Sequence, residues 1–170
     1  MCYPCPEGLL PLTPVYTSLS VGGGNEEEKE GTLMPVHKTE IRVRFGDTDM
    51  AGVVYLPQYI HYFVVAWEEL FRSIGVPFEK IIKKENSGVP PVEVNCRFKA
   101  PAYCGELLEV HTRITRILRK GITLKFDLYR KGNKELLATG TFTCMTINDT
   151  FKAIPVPEYI LEAIKRIKEN

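Results

Sequence analysis

The sequence predicts an α+β domain in which an antiparallel sheet packs around one long helix. A segment with the period of two that is typical of a strand comes first, and one long segment with the period of a helix follows it. Four more segments with the period of two come after that helix. Because an antiparallel sheet with one face in water buries only its other face, the single long helix has to cover that face.

The first strand and the helix are predicted from the spacing of their apolar residues. Residues 40–45 alternate, which places Ile41, Val43 and Phe45 on one face. The helix then begins near Pro57, which suits a first helical position, and ends just before Gly75, which suits the residue after a helix. Its apolar stripe is made of Ile60, Phe63, Val64, Trp67, Leu70, Phe71 and Ile74.

The second half of the chain is predicted to supply the rest of the sheet. Strands are expected over residues 92–98, 107–118, 122–129 and 135–147. Residues 131–134 have the composition of a hairpin loop between two of these strands. A short helical turn is expected after Pro77, and a last helix over residues 158–168.

Length and composition indicate one ordinary soluble domain behind an N-terminal tail. The chain has 170 residues, of which 44% are hydrophobic and 25% are charged, so it can bury a substantial core. Residues 1–36 combine many prolines and glycines with an acidic cluster, and they are predicted to form a mobile tail before a domain at residues 37–170. No apolar stretch approaches the roughly 18 residues of a membrane-spanning helix, so no membrane span is expected.

Charge and cysteine usage narrow the expected partners and compartment. The formal charge is +1, but the chain from His37 onward carries +5, because the segment before it holds one lysine and five acids. That surplus suits a polyanionic small ligand, and no nucleic-acid partner is expected. Cys96, Cys104 and Cys144 are expected to be buried reduced thiols, and the C-x-x-C pattern in the tail has no second Cys or His pair nearby. A cytoplasmic protein without a metal site is therefore predicted.

The segment that joins the first strand to the helix is the most informative. Residues 45–59 hold two carboxylates, Asp47 and Asp49, together with two glycines. The unpaired N–H groups at the start of a helix attract a polarised carbonyl oxygen, so a carboxylate beside them could act as general base or as nucleophile toward an acyl carbon. The alternative is that both aspartates only cap turns, and spacing alone favours that alternative.

This segment also carries a resemblance to a known family. The sequence resembles the 4-hydroxybenzoyl-CoA thioesterase-like branch of the hotdog-fold acyl-CoA thioesterases over about residues 37–157. The residues that carry the resemblance are Phe45-Gly46-Asp47-Thr48-Asp49, Ala51-Gly52-Val53-Val54-Tyr55, Pro57-Gln58-Tyr59, Tyr62-Phe63, Ala66 and Glu69-Leu70. Residues 92–98, Ala100-Pro101 and Gly105-Glu106 match the family's sheet more loosely. The resemblance implies a hotdog fold and two protomers that join their sheets into a homodimer, alone or as a dimer-of-dimers tetramer. Each active site would then lie at the dimer interface.

The resemblance also implies roles for particular residues. In this branch the second aspartate of the motif is the catalytic carboxylate, and that position is Asp49 here. The backbone N–H of Leu56 would hold the thioester oxygen, because Pro57 has no N–H. Tyr55 and Tyr59 are expected to contact the substrate. Many relatives have a histidine in place of Leu56, so a histidine-assisted mechanism is not expected here, and no cofactor is needed besides the CoA of the substrate.

Two further sets of charged residues are candidates for the active site, one for binding CoA and one for catalysis. Relatives bind the CoA phosphates with a basic run at the strand junction that matches Arg119, Lys120 and Gly121. The alternative for these residues is a solvated hairpin tip, which basic side chains favour in any case. Glu69 is a reserve candidate for the catalytic carboxylate, because another hotdog branch places its catalytic glutamate on this helix.

The function implied by the resemblance is that of an acyl-CoA thioesterase. It would hydrolyse a thioester to a carboxylic acid and free CoA, with Asp49 as nucleophile or general base. Two alternatives stay open: hydrolysis of acyl groups held on acyl carrier protein, and a non-catalytic hotdog module that binds acyl-CoA. The acyl group itself is not predicted, because pocket depth depends on side chains such as Phe63 and Trp67 from two subunits.

Overall fold

The structure is a computed structural model that describes residues 35–85 and 87–168, so nearly all of the predicted tail lies outside the described residues. Three helices and seven strands form within that part of the chain. The helices are α1 (Leu56–Ser73), α2 (Phe78–Glu85) and α3 (Glu158–Lys168). The strands are β1 (His37–Arg42), β2 (Ser87–Gly88), β3 (Pro91–Phe98), β4 (Leu107–Leu118), β5 (Gly121–Arg130), β6 (Leu136–Met145) and β7 (Ile147–Asn148). None of the three helices described has the length and hydropathy of a membrane span.

Five strands form one antiparallel sheet in the order β1-β4-β5-β6-β3, and β2 pairs with β7 in a small separate ribbon. Helix α1 packs against one face of the large sheet, so the predicted α+β architecture is confirmed. The strands at the two edges of this sheet, β1 and β3, are the first two of its strands in chain order. That order brings the segment before α1 and the segment after β3 to the same end of the sheet, where Val54 N–H donates to the Ala102 carbonyl.

The helix approaches the sheet closely because β6 has a glycine beneath it. Phe63 of α1 is fully buried and stacks on Phe126 of β5 with 5.0 Å between ring centroids. A Cβ at Gly140 of β6 would lie 2.6 Å from Cε2 of Phe63, which no side chain tolerates. The missing side chain at Gly140 therefore makes the room that the Phe63 ring occupies.

The start of the domain differs from the prediction. Strand β1 ends at Arg42 and a 3₁₀ turn spans Phe45–Asp47, so the alternation that was expected to continue to residue 45 is broken. Val43 is buried as predicted, but Phe45 is 87% exposed, and its assignment to the inner face was wrong. The turn redirects the chain toward α1, which begins one residue before Pro57.

Two smaller expectations also need correction or extension. The turn expected after Pro77 is an eight-residue helix, α2. Cys144 is buried, which raises the pKa of its thiol to about 12, and burial likewise raises the pKa of the half-buried Cys96 to about 11. Cys104, in contrast, is exposed, because it lies in the loop before β4 and not within a strand.

Strand β3 is an edge strand with apolar side chains open to solvent. Val94 is paired with Phe142 of the buried β6, so both side chains lie on the face that α1 covers. Val94 is nevertheless 41% exposed and Val92 is 59% exposed. An unpaired backbone edge with exposed valines is a surface on which another strand can pair.

Candidate active site

The segment between β1 and α1 is held in place at both ends by Asp47. Its Oδ2 accepts hydrogen bonds from the Arg44 N–H and from the Tyr62 hydroxyl, each at 2.8 Å. Its backbone carbonyl accepts a hydrogen bond from the Tyr55 N–H at 2.8 Å. Asp47 thus ties the end of the strand, the first residue before the helix and the helix itself together. Asp47 therefore has the turn-capping role that the sequence offered as the alternative to a catalytic role.

Asp49 lies within this segment and is differently arranged. Its N–H donates to the Val53 carbonyl at 2.9 Å, and its carbonyl accepts from the Gly52 N–H at 3.0 Å, where Gly52 has a φ of +76°. One carboxylate oxygen, Oδ1, accepts a hydrogen bond from the Ala51 N–H at 2.8 Å. The other oxygen has no hydrogen-bond partner among residues 35–85 and 87–168, and the side chain is exposed. Asp49 therefore presents an oriented carboxylate with one oxygen free.

The start of α1 offers one free amide near this carboxylate. Tyr55 caps the helix in extended conformation, and its carbonyl accepts a hydrogen bond from the Gln58 N–H at 2.8 Å. Pro57 has no N–H. The N–H of Leu56 finds no acceptor in the part of the chain that the structure describes. An unpaired amide at the positive end of a helix dipole is suited to bind a carbonyl oxygen that gains negative charge.

A cavity of about 530 Å³ brings these groups together. Asp49, Tyr55, Leu56 and Tyr59, all singled out from the sequence, line it. On the other side its wall is formed by the end of β3 and the segment after it, from Phe98 to Pro101. The structure thus places the carboxylate, the free amide and both tyrosines around one space.

The two tyrosines of the cavity differ in what they can offer a ligand. Tyr59 is only 5% exposed, its ring packs edge-to-face on Phe98 at 5.1 Å, and its hydroxyl accepts a hydrogen bond from the Ala102 N–H at 3.1 Å. Burial raises the pKa of Tyr59, so it stays a neutral phenol. Tyr55 is 55% exposed. Tyr59 therefore forms a fixed wall, whereas Tyr55 lies at the mouth.

Lys99 is a residue of this cavity that the sequence did not single out. It directly follows β3 and is the one cation among the lining residues that the structure describes. Nothing in the local sequence distinguishes Lys99 from other exposed lysines. Lys99 lines the cavity because it follows an edge strand, and the sequence does not show which strands lie at the edges of the sheet.

The structure does not bring the predicted phosphate-binding residues to this cavity within one chain. Arg119 and Lys120 form the exposed turn between β4 and β5, and their carbonyls accept hydrogen bonds from Val156 and Thr146. The cavity lies at the opposite end of β4, and the eleven steps along that strand correspond to about 36 Å. Gly121 is required for packing, because a Cβ there would lie 2.1 Å from the Cys144 carbonyl oxygen.

Glu69, the reserve carboxylate, also lies away from the cavity. Its Oε1 lies 3.4 Å from Arg72 Nε, and it does not line the cavity. Along the helix axis it is about 20 Å beyond Leu56. No group of three or more His, Cys, Asp or Glu residues that could hold a metal ion occurs among the residues with a described position.

Comparison with known proteins identifies the family. Residues 43–164 match the model of the thioesterase-like superfamily. A 1,4-dihydroxy-2-naphthoyl-CoA hydrolase of Thermosynechococcus vestitus is 27% identical over 137 residues, which cover 80% of this chain and 93% of that protein. The crystal structure of a 1,4-dihydroxy-2-naphthoyl-CoA thioesterase from Synechocystis superposes with a TM-score of 0.74 at 27% identity, covering 79% of this chain and 98% of that one. A gentisyl-coenzyme A thioesterase structure gives a TM-score of 0.69 at 28% identity, with coverage of 75% and 99%.

Proposed function

Because this chain belongs to the thioesterase-like superfamily, we propose that it hydrolyses an acyl-CoA thioester to a carboxylic acid and free CoA, with Asp49 as the reacting carboxylate. The chain is a thioester hydrolase with the hotdog fold, as are the relatives to which it is similar. The observation that carries the finer proposal is that Asp49 and the free N–H of Leu56 line the same cavity. The same two features support a place in the 4-hydroxybenzoyl-CoA thioesterase-like branch.

The chemistry follows from that pair of groups. The thioester oxygen accepts a hydrogen bond from Leu56, and the helix dipole stabilises the negative charge that develops on this oxygen. Asp49 either attacks the carbonyl carbon, which gives an acyl anhydride that water then opens, or takes a proton from a water that attacks the same carbon. In both routes the bond from carbon to sulfur breaks and CoA leaves as a thiolate.

We also propose that the working unit is a homodimer paired through β3. No strand within residues 35–85 and 87–168 pairs with its outer edge, and its valines are exposed, which supports pairing with a second copy of the same strand. A two-fold axis makes the two β3 strands antiparallel, so the Pro91 end of one strand lies beside the Phe98 end of the other.

The proposed dimer would explain the position of the turn between β4 and β5, which carries Arg119 and Lys120. Gly121 pairs with Met145, and Pro91 pairs with the neighbouring Cys144, so the β4–β5 turn lies at the Pro91 end of the sheet. In the proposed dimer the Arg119 and Lys120 side chains of one copy would approach the cavity of the other. There they would contact the phosphates of CoA.

The thioesterase proposal is tested by the release of free thiol from a panel of acyl-CoA esters. Asp49→Asn should lower kcat by roughly 100-fold or more, because the group takes part directly in the reaction. Asp149→Asn, an exposed aspartate in the turn after β7, is the matched control and should keep wild-type turnover. Near-normal turnover by Asp49→Asn, or cleavage of carrier-protein esters with none of CoA esters, would contradict the proposal.

The dimer is tested by sedimentation and by substrate truncation. Val94→Lys should yield a monomer, whereas Glu93→Lys, on the outer face of the same strand, should remain dimeric. Replacing Arg119 and Lys120 by alanine should raise KM for an acyl-CoA but not for the corresponding acyl-pantetheine, which lacks the nucleotide. Equal effects on both esters would show that the turn does not bind the nucleotide.

A further inference from the structure

The side of α1 that faces β3 carries an apolar stripe that leads away from the cavity. Leu56, Ile60 and Val64 are spaced by four residues and therefore lie on one side of the helix. Ile60 and Val64 are only half-buried, although both pack beside the core. Across from them, Val94 and Cys96 of β3 lie on the sheet face that α1 covers. Leu56 lines the first cavity together with the end of β3, and Val64 lines another cavity together with the start of β3. We therefore infer that the stripe and the edge strand are the two walls of one apolar groove, which begins at the free amide of Leu56.

A second cavity of about 330 Å³ lies at the far end of this groove. Val64 and Trp67 of α1 line it together with α2 and the start of β3. The rings of Trp67 and Phe78 meet edge-to-face at 4.6 Å and form its aromatic wall. The exposed Glu68 also lines it, and Ile82 on the α2 side is 60% exposed.

We propose that the groove and the second cavity bind the acyl chain of the substrate, and that the enzyme prefers straight acyl chains of medium length over one-ring or two-ring aromatic acyl groups. The proposal rests on the proposed thioesterase function. The carbonyl is held at Leu56, and Val64 lies about 12 Å further along the helix axis. A saturated chain covers that distance with about nine or ten carbons. An aromatic acyl group of one or two rings ends well before Val64 and leaves the second cavity empty.

The chain length also determines how much apolar surface leaves water. Each methylene that the groove buries raises kcat/KM by about fourfold at most. The gain stops where the chain meets Trp67 and Phe78, because the aromatic wall closes the path. In the proposed dimer the second copy covers the open side of the groove, so the chain would lie in a closed passage between the two copies.

The test measures kcat/KM for a series of straight-chain acyl-CoA esters from acetyl to hexadecanoyl, together with benzoyl-CoA. For the wild type, kcat/KM should rise with chain length to about decanoyl-CoA or dodecanoyl-CoA. At that length it should exceed the kcat/KM for benzoyl-CoA by roughly tenfold or more. Val64→Trp fills the end of the groove where Val64 lines the second cavity. It should lower the ratio of dodecanoyl to acetyl turnover by roughly tenfold or more. Val64→Ala, which keeps the fold with less bulk, should hold or raise that ratio.

The matched control is Val65→Trp. Val65 is the next residue of α1 and is likewise half-buried, but it faces a polar cavity beside β1. The ratio of dodecanoyl to acetyl turnover should not change in this variant. A flat length profile in the wild type, a preference for benzoyl-CoA, or an unchanged ratio in Val64→Trp would overturn the chain-binding proposal alone. So would dissociation of the dimer by Val64→Trp but not by Val65→Trp, because the second copy would then fill the groove. A wild type that cleaves no CoA ester at all would overturn the proposed function as well.

Discussion

The hydroxyl of Tyr62 donates a hydrogen bond of 2.8 Å to Oδ2 of Asp47. Tyr62 lies on α1 and is 2% exposed. Burial and the neighbouring carboxylate of Asp47 raise the pKa of Tyr62, so the hydroxyl keeps its proton and always donates. The bond joins the helix whose first amide would hold the thioester to the segment that carries Asp49. The relative position of the two groups therefore depends on a residue that touches neither the cavity nor the substrate.

Removing that bond should affect turnover more than binding. Tyr62→Phe keeps the ring in the core and deletes only the hydroxyl. We expect kcat to fall roughly tenfold, because small displacements of reacting groups are costly, while KM changes little. Tyr129→Phe, on the outer face of the sheet, is the control. Unchanged kcat with a lower melting temperature would show that the bond serves stability alone.

The role of the Leu56 amide can be tested without changing the shape of the helix. Leu56→Pro removes the N–H, and proline is well accepted in the first turn of a helix. Tyr55 has φ −65° and ψ 136°, which is the conformation that a residue before proline adopts. We expect kcat to fall about 100-fold to 1,000-fold, as for the loss of one oxyanion donor.

The matched variant for the amide test is Leu56→Ala, which shortens the same side chain but retains the N–H. Short acyl-CoA esters should be cleaved by Leu56→Ala at close to the wild-type rate. Equal losses in the proline and alanine variants would assign the effect to the leucine side chain, and the amide would have no role in catalysis.

The close contact between α1 and the sheet predicts a stability effect. Gly140→Ala would place a Cβ 2.6 Å from Cε2 of the fully buried Phe63, whose ring packs against the rings of Phe126 and Phe142. The free energy of unfolding should fall by about 1–3 kcal/mol, measured by urea denaturation. Gly132→Ala, in the turn after β5 with no atom within 4 Å of the new Cβ, should change it little. A similar small change at both sites would contradict the packing described for α1.

The outer face of the sheet predicts an acid-dependent loss of stability. Glu109 is 6% exposed, and its Oε1 accepts hydrogen bonds from His111 at 2.6 Å and from Lys134 at 3.1 Å. The hydrogen bond from His111 is the main cause that lowers the pKa of Glu109 from 4.5 to about 2. A carboxyl with a pKa lower in the folded chain stabilises the fold above pH 4.5, and this contribution is lost as the pH falls toward 2.

The measurement for Glu109 is the melting temperature between pH 5 and pH 2. The wild type should lose stability more steeply over this range than Glu109→Gln, which has no charge to lose. Glu93→Gln, at an exposed position on the edge strand, should follow the wild-type curve. Parallel curves for the wild type and Glu109→Gln would exclude this carboxyl as a source of the acid dependence.

Local periodicity predicted most of the elements, because each strand or helix is encoded within its own residues. The bounds of β4, Leu107–Leu118, are those expected from alternation, and Gly75 follows α1 with a φ of +79°. The segment with Asp49 could be singled out because its residues are consecutive in the chain. The pairing of Asp49 with the Leu56 amide was predicted from the family resemblance, because spacing alone favoured a capping role for both aspartates.

Features that depend on the order of the strands were not visible in the sequence. Val92 and Val94 have the pattern of a half-buried strand, and alternation does not show that β3 is at an edge. The same limit applies to Lys99, which joins the cavity only because β3 ends beside α1. The separation of Arg119 from Asp49 likewise follows from the length of β4, about 36 Å, and from the end of that strand at which each segment packs.

The turn around Asp49 has a consequence for how the substrate range of such a site can change. Its carboxylate is oriented by the Ala51 amide and by the backbone of the same short loop. The side chains that shape the space for the ligand, such as Val53 and Leu56, take no part in orienting it. Substitutions in those walls can therefore alter which thioester fits without moving the reacting oxygen, so that selection can adjust the two properties independently.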